Sequence, residues 1–132
     1  MPLNVPDVGE NRILEMLVNK TAPQDLHLRL YINNITPSDT DTAGTYTQAG
    51  FPGYAQIGLT GASWNAAAAG SISYGSQQSW TCSGPATDDV YGYYVVQQTS
   101  GVLIWSERDA TAPFQVRNSG DVVKVTPTIG AN

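Results

Sequence analysis

Residues capable of nucleophilic or acid–base chemistry are few in this chain, and they are far apart. The only histidine is His27 and the only cysteine is Cys82. A hydrolase triad needs a nucleophile, a base and an orienting acid, and no G-x-S-x-G segment is present. His27 is expected to face solvent from a strand. Cys82 lies in a strand-like segment, where a small buried thiol is expected, with a nucleophile as the alternative.

Two carboxylate pairs are the remaining candidates for acid–base catalysis. Asp88 and Asp89 are adjacent, so their side chains are expected to point in opposite directions in a polar turn at the start of a strand. Glu107 and Asp109 flank Arg108 and are expected to carry surface charge at a strand end, or to form a salt-bridging rim of an oligomer interface. The sequence therefore predicts no catalytic residues, no small-molecule substrate and no enzyme activity.

Cofactor and metal sites are likewise not predicted. Asp39 and Asp41, in the segment SDTDT, are similar to the start of a calcium-binding loop. The glycine and the distal bidentate glutamate of an EF-hand are missing, so a solvated loop is expected. No glycine-rich phosphate-binding motif is present either.

An aromatic cluster gives a stronger signal. Tyr91, Tyr93 and Tyr94 lie on one arm of a predicted hairpin, and Trp105 lies on the other. The period of two places Tyr91 and Tyr93 on one face of the strand and Tyr94 on the other. Packing within the core or sheet is expected, and a subunit interface or a platform for stacking sugars remains open.

An arm and one helix are predicted to precede the β-rich part of the chain. Pro2 and Pro6 favour an extended arm over residues 1–8. The segment 9–20 is predicted to be the one helix, with Glu10 in its first turn and Lys20 in its last, matching the helix dipole. Spacings of four residues give the helix one apolar stripe: Ile13, Leu14, Leu17 and Val18.

The rest of the chain is predicted to be strands and turns. Residues 25–32 alternate between apolar and polar side chains, which is typical of a half-buried strand, and residues 33–50 form a long polar loop. Further strands are predicted at 54–59, 71–75, 78–83, 90–97, 102–107 and 121–126. This spacing favours an antiparallel sandwich, jelly roll or barrel. The chain is predicted to consist of an arm and helix at 1–22 and a β domain at 23–132.

Composition limits the classes of partner. The chain has 132 residues, a net charge of −5 and only 13% charged residues, against a usual share of about 25%. Its six basic residues are scattered, so nucleic-acid binding is not expected. No polybasic, amphipathic or long apolar segment predicts a membrane partner. The first residues are unlike a signal peptide, so synthesis in a reducing cytoplasm is expected.

Three segments carry a resemblance to a known family. They are 26–42, 53–64 and 90–129, the last containing VYGYYVV, SGVLIWSER and GDVVKVTPTI. Together they resemble small bacteriophage virion proteins encoded among head genes, which are similar to capsid decoration (cement) proteins. The resemblance implies a jelly-roll-like β-sandwich that forms a homotrimer on the outer surface of the phage head and clamps the major capsid protein.

These expectations name two sets of residues. Capsid contacts are expected from the arm and helix, at Leu3, Val5 and Arg12. Contacts between subunits are expected at Tyr91, Tyr93, Trp105 and Arg108. A tail- or fibre-associated receptor-binding module is the alternative function, since similar β-sandwiches also serve there.

Overall fold

A computed structural model describes residues 3–130 as a mainly β structure with one α-helix and antiparallel sheets. The helix, α1, is Asp7–Leu17. The strands are β1 Leu3–Asn4, β2 Leu26–Tyr31, β3 Ile57–Leu59, β4 Ser71–Ser73, β5 Gln78–Thr81, β6 Asp88–Val90, β7 Gly92–Gln97, β8 Leu103–Arg108, β9 Phe114–Val116, β10 Val122–Val125 and β11 Thr128–Gly130. Short 3-10 turns lie at Ala43–Thr45 and Gly61–Ser63.

The largest sheet has five strands in the order β1-β8-β7-β2-β3, and every neighbouring pair is antiparallel. The hairpin predicted at 90–107 is confirmed as β7 and β8, with Tyr93 opposite Glu107 and Val95 opposite Trp105. All six residues of β7 are buried. The centre of this sheet is therefore covered on both faces, unlike the half-buried sheet that alternation alone predicts.

Three two-stranded antiparallel ladders complete the β structure: β5 with β10, β4 with β11, and β6 with β9. Their apolar side chains pack with one face of the large sheet in a single main core. Trp80 of β5, Val116 of β9 and Val123 of β10 join Leu28 and Val95 there. The ladders therefore bury the sheet face from which these two residues project.

A second, smaller core covers the opposite face. Its buried members are Tyr31, Tyr46, Tyr94, Val96 and Leu103. Consecutive β7 residues enter the two cores in turn, because successive strand side chains point to opposite faces. Tyr46 comes from the predicted long loop at 33–50, so this loop packs on the sheet instead of extending into solvent.

The predicted strands are present but mostly shorter, and four strands were not predicted. The strand predicted at 54–59 is confined to Ile57–Leu59. The unpredicted strands are β1, β6, β9 and β11. Each has only two or three residues, too few for a period of two to be recognised.

The N-terminal arm packs against the β structure. Leu3 pairs with Glu107 and Asn4 with Ser106, which makes β1 an edge strand on β8. Helix α1 also packs mainly on β8. Within residues 3–130, no helix has both the length and the apolar character needed to span a membrane.

Candidate functional site

Helix α1 begins two residues earlier than the sequence pattern predicts. Pro6 is fully buried and extended, with φ −73° and ψ 165°, and the helix follows directly. Asp7 and Glu10 lie in the first turn, where their negative charges interact favourably with the helix dipole and stabilise the helix. The Asp7 N–H donates to the Asp39 carbonyl at 2.8 Å, which satisfies one of the free N–H groups of that turn.

The helix ends three residues earlier than predicted, at Leu17. Asn19 has a left-handed φ of 62°. The Lys20 N–H donates to the Glu15 carbonyl at 2.8 Å, and the Asn19 N–H donates to the Met16 carbonyl at 3.1 Å. These two bonds form a Schellman motif, which stops the helix. Lys20 therefore lies outside the helix, and the last turn has no basic residue.

One side of α1 is held close to β8. Gly9 is buried, and a Cβ atom there would collide with the carbonyl oxygen of Ile104. Ile13 packs on the main core and Val8 on the second core. This close contact fixes which side of the helix faces outward.

The outward side of α1 is polar at its start, where Asp7, Glu10 and Asn11 are exposed, and apolar at its C-terminal end. Leu14 is 60% exposed, Leu17 77% and Val18 72%. They follow a spacing of three and four residues, so they form one continuous surface, here called the helix face. The predicted stripe is therefore divided, with Ile13 inward and the other three residues outward. Single exposed apolar residues are ordinary, but a contiguous group is typical of an interaction site.

The predicted capsid-contact residues are all half-buried and lie outside the helix face. Leu3 and Val5 are half-buried and pack against the main core. Arg12 is half-buried on α1. The helix was predicted to contact the capsid, but Leu14, Leu17 and Val18 were not named individually among the contacts. An apolar stripe indicates burial, and its direction depends on how Gly9 docks.

Two of the predicted oligomer-interface residues belong to the core of the single chain. Tyr93 is 6% exposed and Trp105 2%. The Trp105 indole N–H donates to the Tyr93 hydroxyl at 3.4 Å, and that hydroxyl donates to Glu107 at 2.9 Å. Burial raises the pKa of Tyr93 above its ordinary value. Neither ring offers surface to a second copy, so for these two residues the packing alternative holds.

Tyr91 and Arg108 form a separate pair nearer the surface. The Arg108 guanidinium lies 5.1 Å from the centre of the Tyr91 ring and donates to the Ile35 carbonyl at 3.0 Å. Tyr91 packs on the second core with Tyr94, so the prediction that it shares a face with Tyr93 is wrong. The alternation fails because Tyr91 lies in the break between β6 and β7.

The adjacent aspartates have structural partners. The segment predicted to be a polar turn instead forms strand β6. Asp88 in this strand accepts a hydrogen bond from the Gly50 N–H at 3.0 Å. Asp89 forms an ion pair with Arg117 at 2.6 Å. These contacts join the β6–β9 ladder to neighbouring segments, and the two carboxylates do not face each other across a cleft.

Asp41 is buried, contrary to the solvated loop expected for it. It is 7% exposed and accepts hydrogen bonds from the Tyr46 hydroxyl at 2.7 Å and the Ser38 N–H at 2.9 Å. Among the described residues, no group of three or more His, Cys, Asp or Glu side chains is placed to hold a metal ion. Asp41 thus anchors the long loop.

The one thiol, of Cys82, and the one imidazole, of His27, take no part in the contacts of these aspartates. Cys82 is 1% exposed and its Sγ lies 3.0 Å from the Gly84 carbonyl, which confirms the buried thiol. His27 is half-buried on β2, opposite Val96.

The chain matches no protein-family model, and no curated protein is significantly similar to it. Its fold and its exposed helix face describe a small mainly β protein with a candidate interaction surface.

Proposed function

We propose that this protein is a bacteriophage capsid decoration protein that binds the outer surface of the head and stabilises the major-capsid lattice. The helix face carries the proposal, because it exposes Leu14, Leu17 and Val18 together at the C-terminal end of α1. The resemblance of three segments to phage head proteins supplies the partner. The helix face therefore replaces a free arm as the main capsid contact, since Leu3 and Val5 pack on the protein's own core.

The energetics favour such a contact. Burying a large aliphatic side chain contributes about 1.5–3 kcal/mol when it was fully exposed. The three side chains of the helix face retain most of their exposure, so docking would recover much of that energy. Modest affinity for each copy is sufficient when many copies bind one shell.

The antiparallel arrangement is, in this proposal, a jelly-roll-like β-sandwich. The three ladders would form the layer that faces the five-stranded sheet. Their shared main core supports this, because Trp80, Val116 and Val123 pack with side chains of the sheet. The resemblance also supports a homotrimer, for which Tyr91 and Arg108 are the interface residues that remain. The protein would be made in the host cytoplasm and reside on the virion.

The proposal is tested by adding a charge to the helix face. Leu17→Glu places a carboxylate at the most exposed apolar position of α1. Gln77→Glu adds the same charge at an exposed loop position outside the helix and is the matched control. We expect Leu17→Glu to weaken binding to capsids stripped of the protein by about 10- to 100-fold, as for loss of one buried leucine.

Binding would be measured as occupancy against protein concentration, with circular dichroism to verify that both variants fold. Gln77→Glu should bind within a few-fold of the unmodified chain. Equal binding by Leu17→Glu and the unmodified chain would overturn the helix face as the capsid contact.

A further inference from the structure

Strand β10 has an open edge. Its only strand partner in residues 3–130 is β5. The Cys82 N–H donates to the Asp121 carbonyl, and the Tyr74 N–H donates to the Pro127 carbonyl. Along an antiparallel strand, the backbone groups of alternate residues bond to the same neighbour. The backbone groups of 121, 123, 125 and 127 therefore face the β5 side of the strand. Those of Val122 and Lys124 therefore point to the open edge.

A groove of about 440 Å³ runs along that edge, here called the β10 groove. Five consecutive residues, 122–126, line one wall. Consecutive residues line a groove when it follows the edge of a strand, because side chains of both faces and the backbone then border it. The groove thus offers backbone hydrogen-bonding groups as well as apolar side chains.

The other sides of the groove are formed by the large sheet and the β6–β9 ladder. Leu30 and Tyr93 contribute from the sheet, and Val90 and Phe114 from the ladder. Phe114 is 40% exposed, an unusual exposure for an aromatic ring in this chain. Strands β9 and β10 are consecutive, yet each pairs with another strand and not with the other. The groove is the space that this separation leaves.

The charge on β10 selects the occupant. Lys124 is exposed and makes no ion pair within the described residues. Three other charged residues line the groove, but each has a partner in the chain: Glu107 accepts from the Tyr93 hydroxyl, Arg108 donates to the Ile35 carbonyl, and Asp109 accepts from Thr111. Antiparallel pairing of β10 with the same strand of a second copy would bring two Lys124 side chains close together, which is unfavourable. A strand with a carboxylate opposite Lys124 gains a favourable cross-strand pair instead.

We propose that the β10 groove binds an extended segment of a partner protein, with apolar residues alternating with polar ones and an acidic residue that meets Lys124. The segment adds to the edge of β10 as a strand, so main-chain hydrogen bonds provide affinity and the groove selects the side chains. This inference goes beyond the proposed capsid function and uses a different surface from the helix face. Either can therefore fail without the other.

Two synthetic peptides test it. One alternates valine and threonine around a central glutamate, and the other carries lysine in place of that glutamate. Each peptide is titrated into the full unmodified chain and into Lys124→Glu, so that all four combinations of charge are compared. We expect the unmodified chain to prefer the glutamate peptide by up to about fivefold and Lys124→Glu to prefer the lysine peptide.

Amide hydrogen exchange locates the contact. Binding of the glutamate peptide should slow exchange of the Val122 and Lys124 N–H groups, which point to the open edge, whereas Val123 already faces β5. Absence of binding by both peptides, unchanged exchange at Val122 and Lys124, or a preference that Lys124→Glu does not reverse would overturn the proposal. Leu17→Glu should leave peptide binding unchanged, which separates this site from the helix face.

Discussion

At the scale of single residues, the second core contains two tyrosines with opposite hydrogen-bonding environments. Tyr46 donates to Asp41, and since its proton is used there, Ser106 donates to Tyr46 at 2.7 Å. The Tyr31 hydroxyl is buried and has no hydrogen-bond partner among the described residues. Their rings pack edge to face with centres 4.8 Å apart. The pair thus allows the same chemical change to be compared in two settings.

Removing the two hydroxyls should have unequal effects on stability. Tyr46→Phe leaves buried Asp41 without one of its donors, so we expect the free energy of unfolding to fall by about 1–3 kcal/mol. Tyr31→Phe removes an unsatisfied group and should leave stability unchanged or raise it by about 1 kcal/mol. Denaturant unfolding of both variants measures the difference. Equal destabilisation by both would contradict the hydrogen-bonding pattern.

Stability should also depend on pH in the alkaline range. Burial raises the pKa of Tyr31 to about 12 and raises the pKa values of Tyr46 and Tyr93 as well. The folded state therefore holds these protons more tightly than the unfolded chain, whose tyrosines have pKa values of about 10. This stabilisation is complete below pH about 10 and is lost as pH rises through the folded-state values.

Unfolding free energies measured at increasing pH should decline above about 10. Tyr31→Phe should make that decline shallower, because one of the contributing groups is gone. A free energy that stays level throughout this range would contradict the burial of these hydroxyl groups.

Sequence patterns predicted several individual residues and missed others for identifiable reasons. Cys82 was predicted to be buried because strand neighbours surround it. Asp41 was missed, because an aspartate in a Thr- and Ser-rich loop gives no sign that a tyrosine five residues later will cover it. Tyr91 was assigned to the wrong face because the break before Gly92 interrupts the alternation.

At the scale of elements, the docking of α1 on β8 depends on Gly9. A methyl group there meets the Ile104 backbone, which cannot move without disturbing the sheet. We expect Gly9→Ala to destabilise the protein by about 1–3 kcal/mol, as overpacking does, despite the better helix propensity of alanine. Denaturant unfolding measures this change.

Asn11→Ala is the matched control for Gly9→Ala, since position 11 is exposed on the same helix. It should leave stability unchanged or raise it slightly, because only helix propensity changes. If Gly9→Ala is as stable as the unmodified chain, the close approach of α1 to β8 is wrong.

The existence of the helix and of the central hairpin was predictable, whereas their surroundings were not. Ile13 and Leu14 are adjacent and both apolar, so periodicity alone could not decide which of them faces the core. The early end of α1 had a local signal in Asn19, a residue that tolerates the left-handed conformation. Strands β6 and β9 had no comparable signal, because their pairing joins segments distant in sequence.

At the scale of the whole molecule, the described chain combines a doubly covered sheet with two exposed features on different surfaces. The main core and the second core cover the two faces of the sheet. The helix face lies outside them, and the β10 groove borders the main core at Leu30 and Tyr93. A mainly β class followed from the alternation and the turn spacing. The arrangement of a five-stranded sheet with three separate ladders did not, because strand order depends on contacts between distant segments.

The central claim, that the protein decorates a phage head, predicts how many copies each particle carries. Lattice binding repeats over the whole shell, so quantitative mass spectrometry of purified virions should count hundreds of copies per particle. A tail- or fibre-associated module would be present in only a few to tens of copies, and that count, or absence from the virion, would contradict the proposed function.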